Sequence, residues 1–407
     1  NLDKGSWGPR IGLVWSPDNG KTSIRAGYGV SYWMANWTGP LTVLGLTYPN
    51  YAKAALLTPN NLTPSLLLSR DGIPVPAAET DGSGNLLIPD NAVIRGVVPG
   101  WRAQSVDQKT LNVEREILPG MIVDIGYLGV RGRHNLHSWN INQAPPSADQ
   151  SGDYQTRRPL YGLYPSLGDV PISDSNANSY YNALTVRFAA NVGRDLYVNA
   201  SYAHGRSFAD GNNLDQNNLR QYYGPTQQDI AHIFNAQATY TLPIGKGKTW
   251  LGHSNRLVDT FIGGWEYSAL LHMRSGTRFD VTSGVSTLNN GQSNRPDRIG
   301  SGKLSDPTIN KWFDTSAFVD HLEQGTYGNS GINPLYSDNQ IQLDSSLSKQ
   351  FPLAEGAHLE FRVDAFNTFN HPDFSAPDST VGSGTEGQVF STSVDNRRLQ
   401  LSLRVAF

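Results

Sequence analysis

Short and long connections alternate between segments in which every second residue is apolar, and few folds accommodate that arrangement. The last segment is the clearest. Leu399, Leu401, Leu403, Val405 and Phe407 share one parity, while Arg398, Gln400, Ser402 and Arg404 share the other. Period two over such a run predicts a strand with one apolar and one wet face. Leu359, Phe361 and Val363 oppose Glu360, Arg362 and Asp364 in the same way, Ile24 and Tyr28 oppose Arg25, and Val186 and Phe188 oppose Arg187. Read along the chain, the pattern predicts eleven strands: 10–16, 22–33, 102–115, 120–131, 180–191, 195–206, 231–242, 261–274, 340–349, 357–368 and 397–407.

Pro17–Gly20, Glu116–Pro119, Val192–Arg194 and Leu353–Gly356 read as tight turns, with Gly and Pro where turn geometry needs them. One member of this short set, 243–260, is longer and carries a basic turn, Gly245-Lys246-Gly247-Lys248. The other connections, 34–101, 132–179, 207–230, 275–339 and 369–396, are rich in Asn, Asp, Ser, Gly and Pro. A sandwich shows loops of similar length at both ends, and a solenoid or propeller shows a fixed repeat; neither fits. Elongation on one side only is the pattern of an outer-membrane barrel, with short periplasmic turns and long extracellular loops. The expected class is therefore all-β, a transmembrane antiparallel β-barrel.

Composition agrees. Charged residues are 16%, below the roughly 25% of soluble domains, while aromatics are 10%. A net charge of −3 offers no basic face for nucleic acid. Cys 0 removes disulfides and thiolate chemistry. No apolar run reaches the length of a membrane helix, which a barrel does not need.

Strand parity predicts more. If long loops are extracellular, Phe407 points to the periplasm, and the first strand runs the same way. Bacterial single-chain barrels have even strand numbers, so an odd count starting at Asn1 without Met is expected to be one partial barrel domain, 1–407. It would be the C-terminal half of about 22 strands.

A resemblance is carried by an ordered set of stretches. These are Gly8-Pro9-Arg10-Ile11-Gly12-Leu13, Thr22 to Tyr32, Asn294-Arg295-Pro296-Asp297, Trp312-Phe313 and Tyr327-Gly328-Asn329-Ser330-Gly331. Leu347-Ser348-Lys349, Phe361 to Pro372 and Leu401 to Phe407 complete it. Together they resemble the C-terminal barrel portion of TonB-dependent outer-membrane receptors, in particular the Oar-like group with a carboxypeptidase-regulatory-like N-terminal domain. The resemblance implies the cell outer membrane of a Gram-negative-type bacterium. It also implies a plug inside the barrel, coupling to the TonB complex through an N-terminal region, and uptake of a solute.

The residues of interest follow. Leu401, Leu403, Val405 and Phe407 resemble the terminal signature read by the barrel-assembly machinery. Arg25, Arg187, Glu360, Arg362, Asp364 and Arg404 are expected to face the lumen. Trp15, Tyr28, Tyr32, Tyr127, Tyr202, Tyr240 and Trp265 are expected to mark the interfaces with outer-membrane lipid, with Trp33, Trp101, Trp139, Tyr180, Tyr181 and Phe261 as further candidates. His134 and His137 lack a third metal ligand, and Asp210-Gly211-Asn212-Asn213 with Asp215 does not match a calcium loop. Gly247-Lys248-Thr249 ends like a phosphate loop, but Leu242 stands where its first Gly belongs. No nucleophile elbow or dinucleotide fingerprint is present, so neither a cofactor nor an enzymatic activity is expected. Loops 34–101 and 132–179 are the expected capture surface for a glycan, peptide or chelate. A surface scaffold, adhesion or secretion-related protein without uptake is the other reading.

Overall fold

The computed structural model describes residues 5–33, 64–72, 80–85, 87–210, 223–354 and 356–407, with isolated positions 45, 47, 48, 58, 60, 62, 215 and 218. Its strands are, in order, β1 (Arg10–Trp15), β2 (Thr22–Trp33), β3 (Gly96–Val97), β4 (Gln104–Leu118), β5 (Met121–Asn140) and β6 (Pro171–Val192). There follow β7 (Leu196–Asp210), β8 (Tyr223–Pro225), β9 (His232–Thr241), β10 (Trp265–Arg274), β11 (Arg278–Phe279) and β12 (Asp297–Arg298). The last are β13 (Phe318–Val319), β14 (Leu335–Tyr336), β15 (Gln340–Ala354), β16 (Ala357–Phe366) and β17 (Arg398–Ala406).

Eleven of them form one path, β1-β2-β4-β5-β6-β7-β9-β10-β15-β16-β17, in which each long strand pairs antiparallel with the next. β9, β10 and β16 hold ten residues each, the length of a tilted membrane strand. β5 and β6 hold 20 and 22, so this hairpin projects well beyond its neighbours on the long-loop side. The alternation that predicted them broke off early because the ladder shifts register between Gly132, Asn135 and His137, with His134 at φ 56°.

The register is strongly staggered. One row of partners begins at Trp15, on the short-turn side, and passes through Ile24, Val113, Ile125, Val186, Tyr202, Phe234 and Met273. It ends at Ile341, on the long-loop side. Drift from one rim to the other requires tilted strands, as in a barrel wall.

One expectation fails. The strand predicted from 261 begins at Trp265, and Phe261 lies in a helix, Arg256–Ile262. Asn255 accepts a hydrogen bond from the Val258 N–H at 2.9 Å, capping that helix, and Gly263 ends it.

The tightest packing lies outside the wall. Phe279, Val281, Phe313, Ala317, Phe318, Leu335 and Val381 form a buried cluster with Trp312 against it. These residues come from the connections β10–β15 and β16–β17 on the long-loop side. Stitches join them to other connections. The Ser147 N–H donates to the Leu288 carbonyl at 3.0 Å, and Asn333 Nδ2 to the Pro225 carbonyl at 2.8 Å. The long connections thus build a cap.

Candidate functional site

Each strand of the wall offers one face to hydrogen bonding, and the register joins those faces. Arg25 on β2 reaches Glu114 on β4 at 2.6 Å and Asp124 on β5 at 3.6 Å. Asn112 Nδ2 donates to Asp124 at 3.1 Å, and Arg187 on β6 stands opposite Asp124 in register. At the other end of the path Arg362 pairs with Asp364 at 2.8 Å, and Glu360 lies between Gln350 and Arg404 in register. The six predicted charged residues therefore fall into two groups on one polar face. Glu114 and Asp124 were missed. Their parity with Arg25's partners was the available signal, weakened by the imperfect alternation of 102–115.

Between the groups the face is mostly uncharged. His272 Nδ1 meets Asn235 Oδ1 at 2.6 Å, and Thr239 meets Ser268 at 3.3 Å. Gln237, Gln342 and Ser346 continue the row, and Asp344 accepts from the Asn367 N–H at 2.8 Å.

The opposite face is apolar and open. Ile11, Leu13, Leu111, Val113, Ile125, Leu184, Leu399, Leu401, Leu403, Val405 and Phe407 are all exposed. Large apolar side chains exposed along one face of a wall mark a surface made to be covered, as by lipid. The aromatics on this face are spread in depth. Trp15, Tyr240 and Trp265 lie toward the short turns, Tyr32 toward the long loops, and Tyr28, Tyr127 and Tyr202 within the strands. The Tyr127 hydroxyl donates to Asn182 Oδ1 at 2.7 Å, and Tyr202 bonds His232 Nδ1 at 2.7 Å.

Above the polar face, Asp229 is fully buried. It accepts the Ser207 N–H at 2.6 Å, Arg206 Nε at 3.1 Å and Arg278 Nε at 2.6 Å. Burial pushes its carboxyl up, but the Ser207 N–H and the two guanidiniums outweigh this and hold it below the ordinary carboxylate range. Arg278 also stacks 4.2 Å over Tyr336, so one carboxylate links β7 to the cap. Three of the resemblance stretches, 294–297, 312–313 and 327–331, lie in the connection between β10 and β15. Arg295 pairs with Asp280 at 3.0 Å, and Asp297 with His321 at 2.7 Å. Gly328 packs its α-carbon against the Arg295 carbonyl, leaving no room for a side chain. Asn367, at φ 48°, donates to the His371 and Asp395 carbonyls at 3.0 and 3.1 Å.

Beside the cap a cavity of about 730 Å³ opens among Tyr32, Trp101, Arg102, Ser105, Arg133 and His134. His134 and His137 are not joined by a third ligand, and no group of three or more His, Asp or Glu that could hold a metal occurs among the described residues. Residues 211–213, and positions 34–44 of the expected capture surface, lie outside the described residues.

A family model described as "Outer membrane beta barrel domain" matches residues 1–400. No curated protein matches the chain. Among solved structures, it is similar to the outer membrane transporter YddB from Escherichia coli, with 10% identity and a TM-score of 0.47, over 95% of this chain and 39% of that one. It is similar to the FrpB iron transporter from Neisseria meningitidis, F5-1 variant, with 7% identity and a TM-score of 0.46, over 98% and 39%. For the siderophore receptor PiuA from Acinetobacter baumannii the values are 8%, 0.42, 98% and 35%. The chain spans well under half the length of each of these structures. With its staggered, two-faced wall and a family match over nearly all its length, the chain belongs to the outer membrane beta barrel domain family and is a β-barrel protein of the outer membrane of a Gram-negative-type bacterium.

Proposed function

We propose that the chain is the C-terminal half of an Oar-like, TonB-dependent receptor barrel that takes up a solute across the outer membrane. In this reading the polar face lines the lumen, the short turns are periplasmic, and the cap faces outside. An upstream half closes the barrel around a plug, and the TonB complex supplies energy through the N-terminal region. Leu401, Leu403, Val405 and Phe407 are presented to the barrel-assembly machinery. The observation that carries the reading is the polar face itself. Between its two charged groups it offers mostly Asn, Gln, Thr, Ser and His, with Glu266 and Asp344 charged among them, and such groups suit a hydrogen-bonding solute. Glycans, peptides and chelates all meet that description.

The test is solute accumulation by cells carrying the complete protein, compared with a deletion strain and with protonophore-treated cells. Energy-dependent accumulation of a glycan, peptide or chelate that disappears on deletion is the expected result. Accumulation of every solute unchanged by deletion, with loss of surface adhesion, would replace uptake by a scaffold role.

A further inference from the structure

The connection between β9 and β10 is the longest on the short-turn side, and nothing in uptake uses it. It begins with a tight curl, in which the Gly245 N–H donates to the Trp250 carbonyl at 2.9 Å and the Gly247 N–H to the Gly252 carbonyl at 3.0 Å. The helix Arg256–Ile262 follows. Asp259 accepts the Lys246 N–H at 2.5 Å, tying curl to helix.

This small unit turns its large apolar side chains outward. Trp250 and Leu251 are 62% and 61% exposed, Leu257 and Phe261 77% and 69%. Leu257 and Phe261 are one helical turn apart and share a face. Leu251 sits at φ 57°, a left-handed conformation that a leucine seldom adopts. Backbone hydrogen bonds, Trp250 N–H to the Pro243 carbonyl and Ser254 N–H to the Leu251 carbonyl among them, hold the curl that presents these residues.

The unit's attachment identifies what it faces. Trp265, Lys349 and Phe361 are successive register partners on the apolar face of the wall. Trp265 Nε1 donates to the Phe261 carbonyl at 3.0 Å. The Lys349 ammonium donates to the Gly263 carbonyl and lies over the rings of Trp265 and Phe351, at 5.7 and 5.0 Å. The helix is therefore joined to the apolar face and not to the polar one. Its exposed residues extend that face beyond the last strand residues, and the exposed Lys246 and Arg256 flank them.

We propose that residues 244–262 are an interfacial anchor seated in the phospholipid leaflet on the short-turn side. Trp250, Leu251, Leu257 and Phe261 enter the acyl boundary, and Lys246 and Arg256 meet anionic headgroups. The anchor fixes the depth of the wall at β9–β10.

Residues 1–407 hold no cysteine, so an introduced thiol is unique within them, and any cysteine upstream is first replaced by serine. In the complete protein, Leu257→Cys and Phe261→Cys, with Lys21→Cys in another short turn as reference, are nitroxide-labelled. Each is reconstituted in phosphatidylcholine vesicles with and without phosphatidylglycerol. Labels at 257 and 261 are expected to be several-fold more accessible to oxygen than to a water-soluble nickel chelate, with the reverse at 21. Lys246→Gln combined with Arg256→Gln is expected to reduce their depth only where phosphatidylglycerol is present. Nickel accessibility at 257 and 261 equal to that at 21 would overturn the anchor. Shielding from both reagents would assign the face to a protein contact instead, and unchanged depth in the charge variant would overturn the headgroup assignment.

Discussion

Phe361 and Arg362 are adjacent in the chain and differ in every physical respect. Phe361 lies on the apolar face, edge-on to Trp265 at 6.2 Å, and Arg362 lies on the polar face, paired to Asp364. Placing Arg at position 361 puts a charge into hydrocarbon at a cost of up to about 2–4 kcal/mol, while the polar face tolerates change. Phe361→Arg is therefore expected to destabilise the protein more than Arg362→Phe in a lipid-bilayer unfolding titration, and equal costs would reverse the assigned faces. Asp229 makes a second residue-scale case. Its carboxyl is held below the ordinary range when folded, so its stabilising effect is complete at neutral pH. That effect fades as the pH drops below about 3.9 and through the folded value. Protease resistance of the cap should show that acid limit. Asp229→Asn, which leaves Arg206 and Arg278 without their carboxylate, should cost on the order of 3 kcal/mol at pH 7 and flatten the dependence. An unaltered acid profile in the variant would show that another group sets it.

Among the elements, strands and connections differed sharply in how much the sequence disclosed. β2, β16 and β17 were legible because period two leaves an unbroken signature, and parity alone put Arg25, Arg187, Arg362 and Asp364 on one face. The ends of β5 and β6 were illegible because bulges at Gly132–His137 break the parity. The cap was illegible for a different reason. Phe279, Val281, Phe313, Phe318, Leu335 and Val381 are scattered singly through polar segments, and only tertiary contact gathers them. The resemblance stretches 294–297, 312–313 and 327–331 signalled a family without revealing that they pack together. Because Phe313 is fully buried there, Phe313→Ala should cost about 3–5 kcal/mol. Limited proteolysis should then cut within 275–339 while the β-type circular dichroism persists. Loss of both signals together would mean that cap and wall are one cooperative unit.

For the whole molecule, the stagger from Trp15 to Ile341 was beyond sequence reading, since alternation fixes faces and not registers. The exposed apolar face that results requires lipid or detergent. The protein is expected to fractionate with outer membranes and to lose monodispersity when detergent is removed; a well-folded, monodisperse state in plain buffer would contradict the lipid-facing assignment.

The stitched cap also has a mechanical meaning. A pull on Phe407 first peels β17 from β16, one ladder bond after another. Tension then reaches the connection between these strands, where Val381 is packed with Phe313 and the Gly387 carbonyl holds the Trp312 N–H at 2.8 Å. Load cannot pass to β16 until that packing yields. The cap is thus a brake on the chain, and extraction should halt after one strand and then release the β10–β15 and β16–β17 connections in a single rupture.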